Sequence, residues 1–199
     1  MSFRKEQKYR LSISDMALMQ KDLFIEGMKQ LHPSRIINSC YFDNDTLTFF
    51  ENSEEGVLPR KKVRIRWYNT TLKFTKETKI SSLEGRYKIS ENIKDPKSIN
   101  AIVKLDYLDQ SFGKLNPTLI VSYERQYFSL KSLRLTFDRN ISYKFNKYNF
   151  QTVRKDIECV MEVKTSNECD DDYINNLIPH PSSRFSKYSR GILLCKNLL

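Results

Sequence analysis

The residues of this chain whose types and spacing could do chemistry are arginine, lysine and glutamate recurring at alternate positions. In Arg60-Lys61-Lys62-Val63-Arg64-Ile65-Arg66-Trp67-Tyr68, a β-strand puts Arg60, Lys62, Arg64, Arg66 and the Tyr68 ring on one face. Val63, Ile65 and Trp67 take the other. The pattern returns with Glu6, Lys8 and Arg10 set against Tyr9, Leu11 and Ile13. It returns again with Lys73, Thr75, Glu77 and Lys79 against Leu72, Phe74 and Ile80, and with Arg86, Lys88 and Ser90 against Tyr87 and Ile89. Later, Tyr123, Arg125 and Tyr127 share a face, Arg134, Thr136, Asp138 and Asn140 oppose Leu135, Phe137, Ile141 and Tyr143, and Glu158, Val160, Glu162 and Lys164 oppose Ile157, Cys159, Met161 and Val163. Guanidinium groups grip phosphate oxygens bidentately and ammonium groups attract them as point charges. A divalent ion needs carboxylates, and Mg²⁺ takes one or two while sharing its other positions with water and substrate phosphate. Glu6, Glu77, Glu158 and Glu162 stand on the charged faces. Each alone reads as an ion-pair partner, but together they suit metal-assisted phosphoryl transfer.

The elements that must position these groups are mostly strands. Phe3 to Ile13 reads as the first. Ser14 and Asp15 then suit a helix N-cap, and Met16, Met19, Leu23, Met28 and Leu31 recur at helical spacing to about His32, where Pro33 closes the helix. Ile36 to Phe42 and Leu47 to Glu51 read as strands, with turns at Asn44-Asp45 and Glu54-Glu55-Gly56. After the basic strand come strands at Leu72 to Ile80 and beyond Gly85. Asp95-Pro96 starts a helix whose stripe, Ile99, Ile102, Leu105 and Leu108, ends near Gly113. Strands follow at Pro117 to Leu130, Leu133 to Tyr143 and Ile157 to Lys164. Asp170 to Leu199 reads as helix in pieces, broken by Pro179 and Pro181.

The 199 residues suit one α+β domain spanning 1–199, and 39% hydrophobic content with 12% aromatics is that of a globular chain. With 34 Lys+Arg against 24 Asp+Glu, the net charge of +10 calls for a polyanionic partner: a nucleotide, polyphosphate, nucleic acid or anionic membrane surface. Cys40, Cys159, Cys169 and Cys195 show no C-x-x-C spacing, so free thiols in a reducing cytoplasm are expected rather than zinc or a disulfide framework. Neither a signal peptide nor the roughly 20 apolar residues of a membrane span is present. A soluble, cytoplasmic location is expected. His32, at a helix end, and His180, between prolines, are poor catalytic candidates. The last helix, with Ile192, Leu193, Leu194, Leu198 and Leu199, should cap the barrel that such strands could form, and its basic flank could touch a membrane.

About eight strands with one apolar and one charged face admit two architectures. An open sheet on helices would leave the charges solvated, with mixed signs. A closed antiparallel barrel would turn them inward to line a tunnel, apolar faces outward against helices. Gathering so many cations in one lumen is costly without a polyanion to neutralise them. The tunnel needs phosphates.

These motifs resemble the VTC domain, the polyphosphate polymerase domain of the vacuolar transporter chaperone, within the triphosphate tunnel metalloenzymes or CYTH-like superfamily. The resemblance rests on Glu6-x-Lys8-Tyr9, Tyr41-Phe42-Asp43, Val63-Arg64-Ile65-Arg66-Trp67-Tyr68, Glu77-x-Lys79, Lys88, Tyr123-x-Arg125, Arg134 with Asp138, Met161-Glu162-Val163-Lys164 and Ser186-Lys187-Tyr188, in family order. It implies an eight-stranded antiparallel β-barrel tunnel with helices packed outside, binding ATP or inorganic triphosphate with Mn²⁺ or Mg²⁺. Lys8, Arg64, Arg66, Lys79, Lys88, Arg125, Arg134 and Lys187 would cradle phosphates. Tyr123, Ser186, Glu6 and Lys62 would contact substrate, and Glu162 would hold the metal. Arg4 stands where tunnel triphosphatases carry a first glutamate, which favours the polymerase branch and a growing polyphosphate chain as acceptor. A triphosphatase with water as acceptor, and a non-catalytic polyphosphate or nucleotide binder, remain the alternatives. Nucleic acid is the less favoured partner, and no signal for an oligomeric state stands out.

Overall fold

The computed structural model describes residues 4–69, 71, 73–94, 98–146, 149–167 and 169–199. In chain order the elements are β1 (Arg4–Leu11), α1 (Ile13–Ile25), β2 (Lys29–Asp43), α2 (Thr48–Glu55), β3 (Arg60–Tyr68), β4 (Phe74–Ser82), β5 (Gly85–Ile93), α3 (Ile99–Ile102), β6 (Tyr107–Asp109), β7 (Gly113–Leu130), β8 (Leu133–Phe145), β9 (Val153–Lys155), β10 (Cys159–Ser166), α4 (Asp171–Leu177) and α5 (Lys187–Cys195). β1 with β10, β10 with β8, β2 with β3, β3 with β4, β4 with β5, β6 with β7 and β8 with β9 all pair antiparallel. The expected α+β class, an antiparallel sheet of eight principal strands with a few helices, is what the chain adopts; β6 and β9 are short additions to β7 and β8.

The chain divides into two compact units, and the long strands β2, β7 and β8 run through both. The first comprises Met1–Ile36, Tyr123–Ile141 and Asp156–Phe185 and carries the strand order β1-β10-β8-β7. Its core joins Tyr9, Leu11, Phe128, Leu135, Phe137, Met161 and Val163 from the strands to Met16 and Leu23 of α1 and Ile174 of α4. The second comprises Ile37–Ser122, Ser142–Lys155 and Ser186–Leu199 and carries the order β7-β2-β3-β4-β5. There Val63, Ile65 and Trp67 are buried as the alternation requires, while Arg64 and Arg66 on the opposite face are only half-buried. α5 lies close upon this sheet because Gly191 has no side chain. A Cβ at that position would stand 2.4 Å from the Tyr143 ring and 2.6 Å from Leu119.

Several boundaries differ from the sequence reading. α1 is capped by Ser12 in a capping box with Asp15, not by Ser14, and ends at Ile25 rather than near His32. Gly27, at φ +94°, ends the helix while the Met28 N–H returns to Leu23 O, so Met28 and Leu31 do not continue the helical stripe. Pro33 and His32 therefore lie within β2, in its exposed N-terminal half, where a missing N–H costs little. Leu47 to Glu51 is helical, not a strand: Thr48–Glu55 forms α2, with its first N–H groups bonded to Asp43 and Asn44. The helix expected to run to near Gly113 lasts only from Ile99 to Ile102, capped by Ser98, and Leu108 lies on β6 with its side chain in solvent. Its expected start at Asp95-Pro96, like Phe3 and Leu72, lies outside the described residues. Ile157 is exposed ahead of β10.

Candidate active site

In the second unit the charged face of β3 meets β4 and β5 in a register that sets Arg64 opposite Glu77, Lys62 opposite Lys79, Glu77 opposite Ser90 and Lys79 opposite Lys88. Glu77, 6% exposed, is the hub. Its Oε2 accepts from Arg64 Nε at 2.7 Å and its Oε1 from Lys88 Nζ at 2.6 Å, with Arg66 3.4 Å away. Burial alone would push this carboxyl up, but Arg64 and Lys88 overcome it and hold the group below the usual carboxylate range. One carboxylate thus answers three cations, leaving an excess positive charge that suits an anion.

The start of α5 adds to this face. Ser186 caps the helix, and its Oγ accepts from Lys62 Nζ at 2.8 Å. Lys187 is the first helical residue, and Tyr188 behind it is buried against Tyr41, the rings stacked at 5.0 Å with 22° between planes. The Tyr188 hydroxyl donates to Asp43 Oδ2 at 2.6 Å, and Arg64 NH1 donates to the Tyr41 hydroxyl at 2.9 Å. Lys79 is exposed on the same sheet.

The first unit gathers the other set. Across β1 and β10, Glu6 faces Lys164 and Lys8 faces Glu162; across β10 and β8, Glu162 faces Thr136 and Lys164 faces Arg134. Lys8 lies 3.2 Å from Glu6 and donates to Phe185 O at 3.1 Å, and Lys164 lies 2.8 Å from Glu162. Arg125 clamps the buried Asp138 bidentately at 2.6 and 2.7 Å and lies 5.3 Å from the Tyr123 ring centre. Burial would raise the Glu162 carboxyl, yet Lys164, Lys8 and Arg125 bring it down to about 2. Arg134 is exposed beside them. Glu158, by contrast, is taken up by Arg10, at 2.8 and 2.5 Å, as a plain ion pair.

This donor set fits a divalent ion that brings most of its oxygen ligands with its substrate. Glu162 is ionised, nine-tenths buried and two register steps from Glu6, while Asp138 is committed to Arg125. No group of three or more potential ligands occurs among the described residues, and Mg²⁺ takes as few as one or two carboxylates. The hydroxyl of Thr136, directly opposite Glu162, is buried with no hydrogen-bond partner, a polar group an ion's hydration shell would satisfy. In the second unit, Ser39 Oγ and Arg66 Nε, opposite each other on β2 and β3, are likewise buried without partners.

A cavity of about 330 Å³ lies on the other face of β3 and β4, between Lys61, Val63, Lys76 and Thr78 and the Tyr107–Ser111 segment. Its cations are occupied: Lys61 pairs with Asp109, and Lys76 lies over the Tyr107 ring at 4.2 Å. The convergence of charge, not that cavity, marks the site. His180 bonds Arg10 O and His32 packs edge-on to Tyr127, so neither joins it. Tyr41, Asp43 and Tyr188 were not among the expected site residues. Their signal was present in the Tyr41-Phe42-Asp43 and Ser186-Lys187-Tyr188 runs, but nothing in one strand's alternation says that a helix 145 residues later will meet it.

Among curated proteins, none matches this sequence. Solved structures similar in fold include a Pyrococcus horikoshii protein at 13% identity, covering 94% of this chain and 98% of that one with a TM-score of 0.58. A Bacillus halodurans protein described as a candidate adenylate cyclase shares 13% identity over 93% of this chain and 94% of its own, with a TM-score of 0.59. A Hippeastrum protein, described as a candidate adenylyl cyclase with a dominant triphosphatase activity, shares 14% over 98% and 96%, with a TM-score of 0.53. These likenesses establish the fold. The model of the VTC domain matches residues 3–196, so the chain belongs to the VTC domain family.

Proposed function

We propose that this protein transfers the terminal phosphoryl group of ATP to a growing polyphosphate chain. The observation that carries the reading is the convergence of Arg64, Arg66 and Lys88 on one carboxylate, Glu77, in a chain of this family. Arginines and a lysine so held are preorganised, and their excess charge is available to phosphate oxygens without further rearrangement. Arg64, Arg66, Lys62, Lys79, Lys88 and Lys187 would grip the triphosphate, with Ser186 donating a hydrogen bond. Lys8, Arg125 and Arg134 would bind phosphates on their own face, where Tyr123 adds its hydroxyl. Glu162, with Glu6 beside it, would hold Mn²⁺ or Mg²⁺, which when bound supplies positive charge to the phosphate oxygens. What the chain's own residues contribute is alignment of the phosphates and stabilisation of charge as the bond to the leaving ADP lengthens. Hydrolysis of a triphosphate, with water as acceptor, is the second reading, prompted by the triphosphatase activity attributed to the Hippeastrum neighbour.

Incubation with ATP and Mn²⁺, resolved on a gel stained for polyphosphate, tests the proposal. A ladder of chains supports it. Free phosphate without chains moves the assignment to hydrolysis, and neither product leaves a binding module.

A further inference from the structure

We infer that Asp43 and Tyr188, neither of which faces substrate in the reading above, are positioning residues that lock the start of α5 onto the phosphate-binding face of β3. The inference rests on that reading of the site. Asp43 is fully buried at the end of β2, and its carboxylate is the meeting point of three elements. Oδ1 accepts the Asn44 and Phe49 N–H groups at 2.9 Å each, and Oδ2 accepts the Phe50 N–H at 3.0 Å. Those bonds fasten β2 to the N-terminus of α2, a helix whose own N-cap residue, Leu47, offers no side-chain acceptor. The remaining bond, from the Tyr188 hydroxyl at 2.6 Å, fastens α5 to the same point.

From Tyr188 the connection continues in two directions. Through the stacked ring of Tyr41 it reaches the Arg64 guanidinium, which donates to the Tyr41 hydroxyl at 2.9 Å and lies 5.7 Å from that ring's centre. Along the backbone it reaches Lys187 and Ser186 at once, since these are the two residues before Tyr188, and Ser186 in turn accepts from Lys62. A carboxylate that touches no phosphate thereby fixes the mutual placement of Arg64 on the strand and Ser186 and Lys187 on the helix. Packing alone would need only an apolar side chain at 43. A buried carboxylate satisfied by four donors specifies one seating of α5 instead of several.

The test is Tyr188→Phe, which deletes one hydroxyl and keeps the ring stack. Tripolyphosphate binding is measured by calorimetry at a temperature where the variant is fully folded, alongside hydrogen exchange over residues 186–190. The expected result is faster exchange at the start of α5 and binding weaker by up to about tenfold, the ceiling set by the worth of the internal hydrogen bond that no longer holds the helix in its binding position. Asp43→Asn, which keeps an acceptor oxygen, should reproduce part of the effect. In a merely structural role, the melting temperature would fall while the dissociation constant of the folded variant stayed unchanged. Wild-type binding with an indifferent Tyr188→Phe overturns the positioning role alone. Failure of the wild-type protein to bind tripolyphosphate contradicts the phosphate face itself and overturns the role with it.

Discussion

Arg64 and Glu77 stand directly opposite each other on β3 and β4, guanidinium to carboxylate at 2.7 Å, and Glu77 also draws in Arg66 and Lys88. The carboxylate keeps three like charges close together when no phosphate is present. Replacing it should expose that repulsion. Glu77→Gln is expected to lower stability by about 2 kcal/mol, the loss moderated because Lys88 is half-exposed. Saturating tripolyphosphate should then raise the melting temperature of the variant by more than it raises that of the wild type. Differential scanning with and without the anion checks both.

Glu162 plays a different part, since its cationic neighbours keep it ionised where a metal would need it. Glu162→Gln keeps the size and removes the charge. Turnover with Mn²⁺ or Mg²⁺ should fall by about a hundredfold or more, the scale of losing a principal electrostatic group, with the circular-dichroism spectrum unchanged. Metal titration of the residual rate distinguishes a lost ligand from a lost fold.

Acid should unfold this protein through the same carboxylates. Glu162 titrates near 2 in the fold against 4.5 ordinarily, and Glu77 is shifted the same way. A lowered folded value means stability that is fully present above about 4.5 and lost as pH falls towards 2, because protonation must work against Lys8, Lys164 and Arg125. Melting temperatures should therefore decline across that window, and the decline should be shallower in Glu162→Gln.

The seat of α5 gives a prediction about packing. Gly191→Ala puts a methyl 2.4 Å from the fully buried Tyr143 ring, which has nowhere to turn. A cost of about 2–3 kcal/mol is expected. Because the helix carries Ser186 and Lys187, triphosphate affinity should fall together with the melting temperature.

How much of this was legible in the sequence depends on the range of the interaction. The β3 alternation is local, and burial of Val63, Ile65 and Trp67 opposite the arginines follows it residue by residue. Lys8 and Glu162, or Arg64 and Glu77, could be assigned to charged faces, but which carboxylate meets which cation is decided by register across strands. The helix ends went astray where apolar spacing outran the backbone. Met28 and Leu31 fit the stripe of α1, yet Gly27 had already turned the chain. Leu47 to Glu51 looked extended because its helix is capped from outside, by Asp43, whose other role depends on a tyrosine at the far end of the chain.

The measurement that tests the account most directly is a phosphate balance in a single reaction of the wild-type protein with ATP and Mn²⁺. ADP, free phosphate and chain-bound phosphate are followed together. Transfer to a growing chain predicts that chain-bound phosphate rises in step with ADP while free phosphate stays low. ADP matched instead by free phosphate, with no chain formed, would contradict it.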